Sequence, residues 1–176
     1  MKLYCTRHGQ TVWNADNKIC GLTDVELTDK GRNQANELGK RLKDVKIDLI
    51  ICSPLKRARD TAEIINKYVG AKITIDSRLI EQNYGIYEGT NRFGEEFLAN
   101  KRNLAYKYPN GESAIQVAHR VYSLIDEVKA KYSHLSLLFV CHNGVCRIIN
   151  TYFCDLTNEE YFHYSLDNCG LEEYEL

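Results

Sequence analysis

Leu49-Ile50-Ile51-Cys52-Ser53-Pro54-Leu55-Lys56-Arg57-Ala58 is the stretch whose reading decides the fold. Its first four residues form a short apolar run of strand length, rich in β-branched side chains. Ser53-Pro54 then reads as a helix cap with proline at the first helical position, and Ala58, Ala62, Ile65 and Val69 repeat at helical spacing behind it. Strand runs of the same kind lie at Leu3 to Thr6, Ile73 to Ile75 and Leu135 to Cys141. Helical patterns separate them: Ala35, Leu38, Leu42 and Val45 after the cap Thr28, and Val117, Val121, Leu124 and Val128 after a Ser113/Gln116 capping box, running to about Tyr132. A further helix is expected after Asn143, a short one after the Thr157/Glu160 pair, and an edge strand at Leu171 to Leu176. Alternating strands and helices predict an α/β fold, a three-layer α/β/α sandwich around a mostly parallel sheet with an antiparallel edge strand and right-handed crossovers.

The 176 residues, 44% hydrophobic and 27% charged, suit one domain over 1–176 with a sizeable core. No repeat, low-complexity tract or linker divides them. Net charge is −1 with basic residues dispersed, which argues against nucleic acid or an anionic membrane as partner. The start MKLYCTRH lacks a signal-peptide apolar run, so the expected location is the cytoplasm. Seven cysteines without a CxxC pair fit neither a disulfide framework nor a zinc site, and they read as reduced, packed thiols. His119, His134 and His163 show no ligand spacing, so neither a metal nor a cofactor is expected.

In parallel sheets ligands sit beyond the carboxyl ends of the strands. Arg7-His8-Gly9 follows the first strand, Arg57 lies just after the second, and His142-Asn143-Gly144 follows the strand ending at Cys141. Two imidazoles and two guanidiniums at one sheet edge, with helix N-termini behind them, describe a pocket for a compact dianion such as phosphate.

Thr6-Arg7-His8-Gly9-Gln10-Thr11 with Trp13-Asn14 resembles the signature of the histidine phosphatase superfamily, the phosphoglycerate mutase-like fold. Gly21-Leu22-Thr23-Asp24, Leu27-Thr28-Asp29-Lys30-Gly31, Ser53-Pro54-Leu55 with Arg57-Ala58, Leu79 with Glu81, and Asn110-Gly111-Glu112-Ser113 are similar to its later blocks, in order, from residue 3 to about 150. The resemblance implies His8 as nucleophile, Glu81 as general acid and then base, and Arg7, Asn14, Arg57 and His142 as holders of the phosphoryl oxygens, with His142 counted among the catalytic groups. Gly21, Tyr84 and Asn143 are expected on the substrate side. Gln10 and Tyr87 depart from the family's usual glutamate and tryptophan, and Asn143 from its usual small neighbour of the second histidine. The implied activity is a phosphomonoester hydrolase acting through phosphohistidine on a small phosphorylated metabolite.

Three alternatives stand beside it. A phosphoglycerate mutase-type transfer must cover the site and grip a second anion; the chain between Glu81 and His142 reads as short for a cover, although Phe93-Gly94-Glu95-Glu96 through Lys101-Arg102 is faintly similar to the mutase region that does so. Cys141 to Arg147 satisfies C-x5-R, the pattern of a cysteine phosphatase, but Ile148 stands where that loop has Ser or Thr. Last comes an inactive module that senses a phosphorylated ligand. Residues 83 to 111, with Tyr84, Tyr87, Phe93, Phe97, Tyr106 and Tyr108, are expected to set substrate choice or to serve as core.

Overall fold

The structure is a computed structural model describing residues 2–176. Its sheet contains β1 (Lys2–Arg7), β2 (Leu49–Cys52), β3 (Lys72–Ile75), β4 (Leu137–Cys141) and β5 (Leu171–Glu175), in spatial order β3-β2-β4-β1-β5. All pairings are parallel except β1 with β5. Burial on both faces explains the unbroken apolar runs. Leu3, Cys5, Ile51, Leu137 and Phe139 point to one side, against α5 (Ala114–Lys131) and α6 (Asn143–Phe153). Tyr4, Ile50, Cys52, Leu138 and Val140 point to the other, against α2 (Asp29–Leu42) and α3 (Lys56–Val69). Each such aliphatic side chain contributes roughly 1.5–3 kcal/mol by leaving water. The result is the expected α/β/α sandwich.

The caps at Thr28, Ser113 and Thr157 form as expected, the last opening α7 (Asn158–His163). Three local expectations are corrected. The Ser53-Pro54 pair does not open α3: its N-cap is Leu55, without a side-chain cap bond. Asp24, from another loop, accepts from Lys56 N at 2.6 Å, while the Ser53 hydroxyl is turned to His142. Val45 falls beyond α2, in a turn where its N–H bonds Leu42 O. Leu135 precedes β4, because its N–H closes a turn on Tyr132.

Two short helices shape the mouth of the sheet edge: α1 (Val12–Ala15), with a Thr11/Asn14 capping box, and α4 (Glu95–Lys101). Phe97 of α4 joins Ile19, Tyr87 and Tyr108 in a separate apolar cluster. The loop after β1 crosses the start of α2 at backbone contact: a Cβ on Gly31 would lie 2.1 Å from Gln10 O, and one on Gly9 2.3 Å from Gly31 O. Main chain cannot yield as a side chain would. Gly31→Ala is therefore expected to destabilise the protein by about 1–3 kcal/mol, read as a lower urea midpoint at unchanged m-value.

Candidate active site

The strand ladder carries on into the loops that bear the chemistry. His8 N donates to Cys141 O and Ser53 N to Val140 O, each at 3.0 Å, so both loops leave the sheet in fixed register. His8 is 3% exposed, and its Nδ1 lies 2.7 Å from Gly9 O. A carbonyl only accepts, so Nδ1 carries the proton and Nε2 keeps a bare lone pair. Burial, then the Arg57 and Arg7 guanidiniums, hold the imidazole well below its ordinary pKa. It is thus neutral at neutral pH, as a nucleophilic imidazole must be.

Arg57 is wholly buried and anchored on three sides: Nη2 donates to Gly21 O at 2.6 Å, Nη1 to Thr23 O at 2.9 Å, and Nε to His142 Nδ1 at 3.3 Å. Because Arg57 only donates, His142 accepts on Nδ1 and gives its Nε2 proton to Ser53 Oγ at 2.7 Å. The two imidazoles stand with centroids 5.1 Å apart. Burial, then Arg57, holds His142 well below its ordinary pKa as well. Arg7 donates from Nη1 to Leu166 O at 3.0 Å, while its Nε is buried without an acceptor. An unmet buried donor costs about 1–3 kcal/mol, and an anion is the partner that suits a guanidinium best.

Asn14 Oδ1 accepts from Thr11 N at 3.1 Å and Asn168 Nδ2 at 3.3 Å, which leaves its amide N–H groups as donors. Glu81 is 4% exposed. Its carboxylate accepts from Gln82 N at 2.8 Å and Gly144 N at 3.1 Å. Burial raises its pKa, and these two N–H bonds oppose the rise. The approach needs glycine, since a Cβ on Gly144 would come within 2.5 Å of Glu81 Oε1 and 3.1 Å of the Tyr84 hydroxyl.

Arg7, His8, Asn14, Glu81, Tyr84 and Asn143 line one cleft of about 250 Å³. Arg57, His142 and Gly21 are not in its lining; they form the layer behind, with Gly21 serving as an acceptor for Arg57. Asn143 spends its side-chain oxygen on Leu166 N and Ser165 Oγ, fixing the opposite wall. Of the aromatic group, Tyr84, Phe93 and Phe97 reach the cleft, whereas Tyr87 and Tyr108 sit in the apolar cluster beneath α4.

Arg92, Arg147 and His163 were missed as cleft wall, while Lys101, in the stretch similar to the mutase region, is part of it. His163 reaches it through α7, although spacing alone gave it no role. Between Glu81 and His142, α4 lays Phe97, Leu98 and Lys101 along the cleft wall. Burial, then Arg147, Arg92 and Arg102, lowers the Lys101 pKa to about 7. Glu81 is the one carboxylate among the lining residues.

The C-x5-R segment is folded the wrong way for a cysteine nucleophile. Cys141 Sγ points into the core, 3.7 Å from Cys5 Sγ and 3.5 Å from Cys146 Sγ, and burial pushes its thiol up. Cys141 does not line the cleft, while Arg147 holds Tyr164 O through Nε and Nη2.

A family model for the histidine phosphatase superfamily (branch 1) matches residues 3–176. An uncharacterized phosphatase PhoE of Bacillus subtilis is 37% identical over 151 residues, spanning 82% of this chain and 73% of that protein. A probable phosphoglycerate mutase GpmB of Erwinia tasmaniensis is 31% identical over 178 residues, 97% of this chain and 83% of that one. Among solved structures, a mycobacterial glucosyl-3-phosphoglycerate phosphatase superposes with TM-score 0.87 at 26% identity, over 98% of this chain and 88% of the other. The alpha-ribazole phosphatase of Shigella flexneri gives 0.86 at 28% identity, over 100% and 91%.

Proposed function

The chain belongs to branch 1 of the histidine phosphatase superfamily, and on that premise we propose that it hydrolyses phosphomonoesters of small metabolites through a phosphohistidine at His8. The observation that carries this reading is the bare Nε2 of a buried, neutral His8 at the base of a cleft beside the unpartnered Nε of Arg7. Nε2 attacks phosphorus, the bond to the leaving oxygen breaks, and Glu81 gives that oxygen its proton. Water then attacks; its proton passes to the Glu81 carboxylate, and the P–N electron pair returns to His8. Arg7, Arg57 and Asn14 meet the charge on the equatorial oxygens, so positive charge is supplied by side chains and no metal is required. His142, accepting from Arg57 on Nδ1 and donating to Ser53 from Nε2, holds the Arg57 guanidinium in place behind them.

The cationic wall of Arg92, Lys101 and Arg147 supports a substrate with a second anionic group, a carboxylate or another phosphate. The same wall favours one other reading, phosphoryl transfer between hydroxyls of a phosphoglycerate-like molecule. Phosphate release in EDTA from paired singly and doubly anionic phosphomonoesters separates them: net release with the doubly anionic members preferred is expected, and isomerisation without release would replace hydrolysis by the mutase reading. Lys101 is charged below about pH 7, so KM for a doubly anionic substrate should be lower at acidic than at alkaline pH. In Lys101→Met that KM should rise about 10-fold and lose its pH dependence, as expected for one charge-assisted bond.

A further inference from the structure

Glu81 lies on chain with no ladder to hold it. Beyond the 3₁₀ turn Ser77–Leu79, residues 80–84 are irregular, yet Glu81 and Gln82 are buried. Buried main-chain groups need partners, and here they come from a different part of the molecule. Arg120, on α5, donates from Nη1 to Arg78 O at 2.6 Å and from Nη2 to Glu81 O at 3.2 Å. The Glu112 carboxylate in turn grips Arg120, with Oε1 3.3 Å from Nε and Oε2 3.2 Å from Nη2. Glu112 Oε2 also accepts from Asn83 N at 3.0 Å. Main chain completes the clasp: Glu112 N donates to Asn83 O, and Gln82 Nε2 donates to Glu112 O.

This is not an ordinary surface ion pair, since the two side chains are only 16% and 27% exposed and both spend their hydrogen bonds on the acid-bearing segment. We propose that the Arg120–Glu112 pair is a positioning device for the general acid, fixing the main chain on both sides of Glu81 so that its carboxyl stands at the leaving oxygen. Neither residue lines the cleft, so neither touches substrate. A fork is required: one planar guanidinium reaches two carbonyls and a carboxylate together, which the point charge of lysine does not do. A displacement of about 1 Å at a reacting group costs about 100-fold in rate, so a small relaxation of residues 80–83 is enough to matter.

The inference rests on Glu81 being the acid, and its test separates the two claims. A good leaving group needs no proton, so p-nitrophenyl phosphate reports attack by His8, whereas a primary alkyl phosphate reports attack and proton donation together. The ratio of the two kcat/KM values, measured on one sample, cancels any loss of folded enzyme. In Arg120→Ala and Arg120→Lys the alkyl ester is expected to slow about 10–100-fold and the aryl ester by less than about 3-fold, the direction also expected of Glu81→Gln. Glu112→Gln keeps an acceptor for Asn83 N and should fall between these variants and the parent. Equal losses on both esters in the Arg120 variants, or an unchanged ratio, overturn the positioning role. An unchanged ratio in Glu81→Gln overturns the acid assignment itself, and the positioning role with it.

Discussion

His8→Ala is expected to lose turnover by at least about 10⁴-fold on every phosphomonoester, aryl or alkyl, because under the proposed mechanism the variant lacks the nucleophile. Leaving-group quality cannot rescue it. Phosphate binding should survive: Arg7, Arg57 and Asn14 remain, and removing a buried ring relieves the guanidiniums of a neighbour without removing a donor to the ligand. Titration with inorganic phosphate should give a dissociation constant within about 10-fold of the parent, the scale of one hydrogen bond. Residual turnover near parental level would mean that some other group attacks. Cys141 is badly placed for that, being turned into the core with its thiol pushed up.

Glu81→Gln should divide substrates by their need for a proton. In kcat/KM, which reports phosphoenzyme formation, alkyl phosphates are expected to fall by about 10²–10⁴-fold, the usual worth of a positioned general acid, while aryl esters of acidic phenols fall little. The pH profile carries the same signature. Burial raises the Glu81 pKa, so the protonated acid persists to higher pH than for an ordinary glutamate and is lost as pH rises through that value. His8 works in the opposite direction: its lowered pKa keeps the nucleophile neutral into acid, and activity is lost only as pH falls through it. Parental kcat/KM on an alkyl ester should therefore peak on the acid side of neutrality with a falling alkaline limb. Glu81→Gln should flatten that limb, and an alkaline limb that persists unchanged would assign it to another group.

The parts of this molecule that local chemistry fixes were readable from the sequence. The runs at β1, β2 and β4 are apolar on both faces, and the capping pairs at Ser113/Gln116 and Thr157/Glu160 satisfy their own N–H groups whatever surrounds them. His8, Arg57 and His142 were placed at one edge because parallel strands align their carboxyl ends. What escaped was set by contacts distant in sequence. Lys101 reaches the cleft because Phe97, Tyr87 and Tyr108 pack α4 beside it, and Arg92 because its N–H bonds Asn17 O in a distant loop; no periodicity reports either. Asn168 acts at the site only because β5 returns antiparallel beside β1, bringing its amide 2.9 Å from His8 O. Ser53 reads as a helix cap in isolation; its use by His142 and the replacement cap from Asp24 both come from the assembled loops.

The decisive measurement is to quench the enzyme during turnover of a ³²P-labelled phosphomonoester, digest it with trypsin and locate the label. The account predicts one radioactive peptide, His8–Lys18, whose phosphate is lost in acid and retained in base. Label on any other peptide, or label that survives acid, would contradict it.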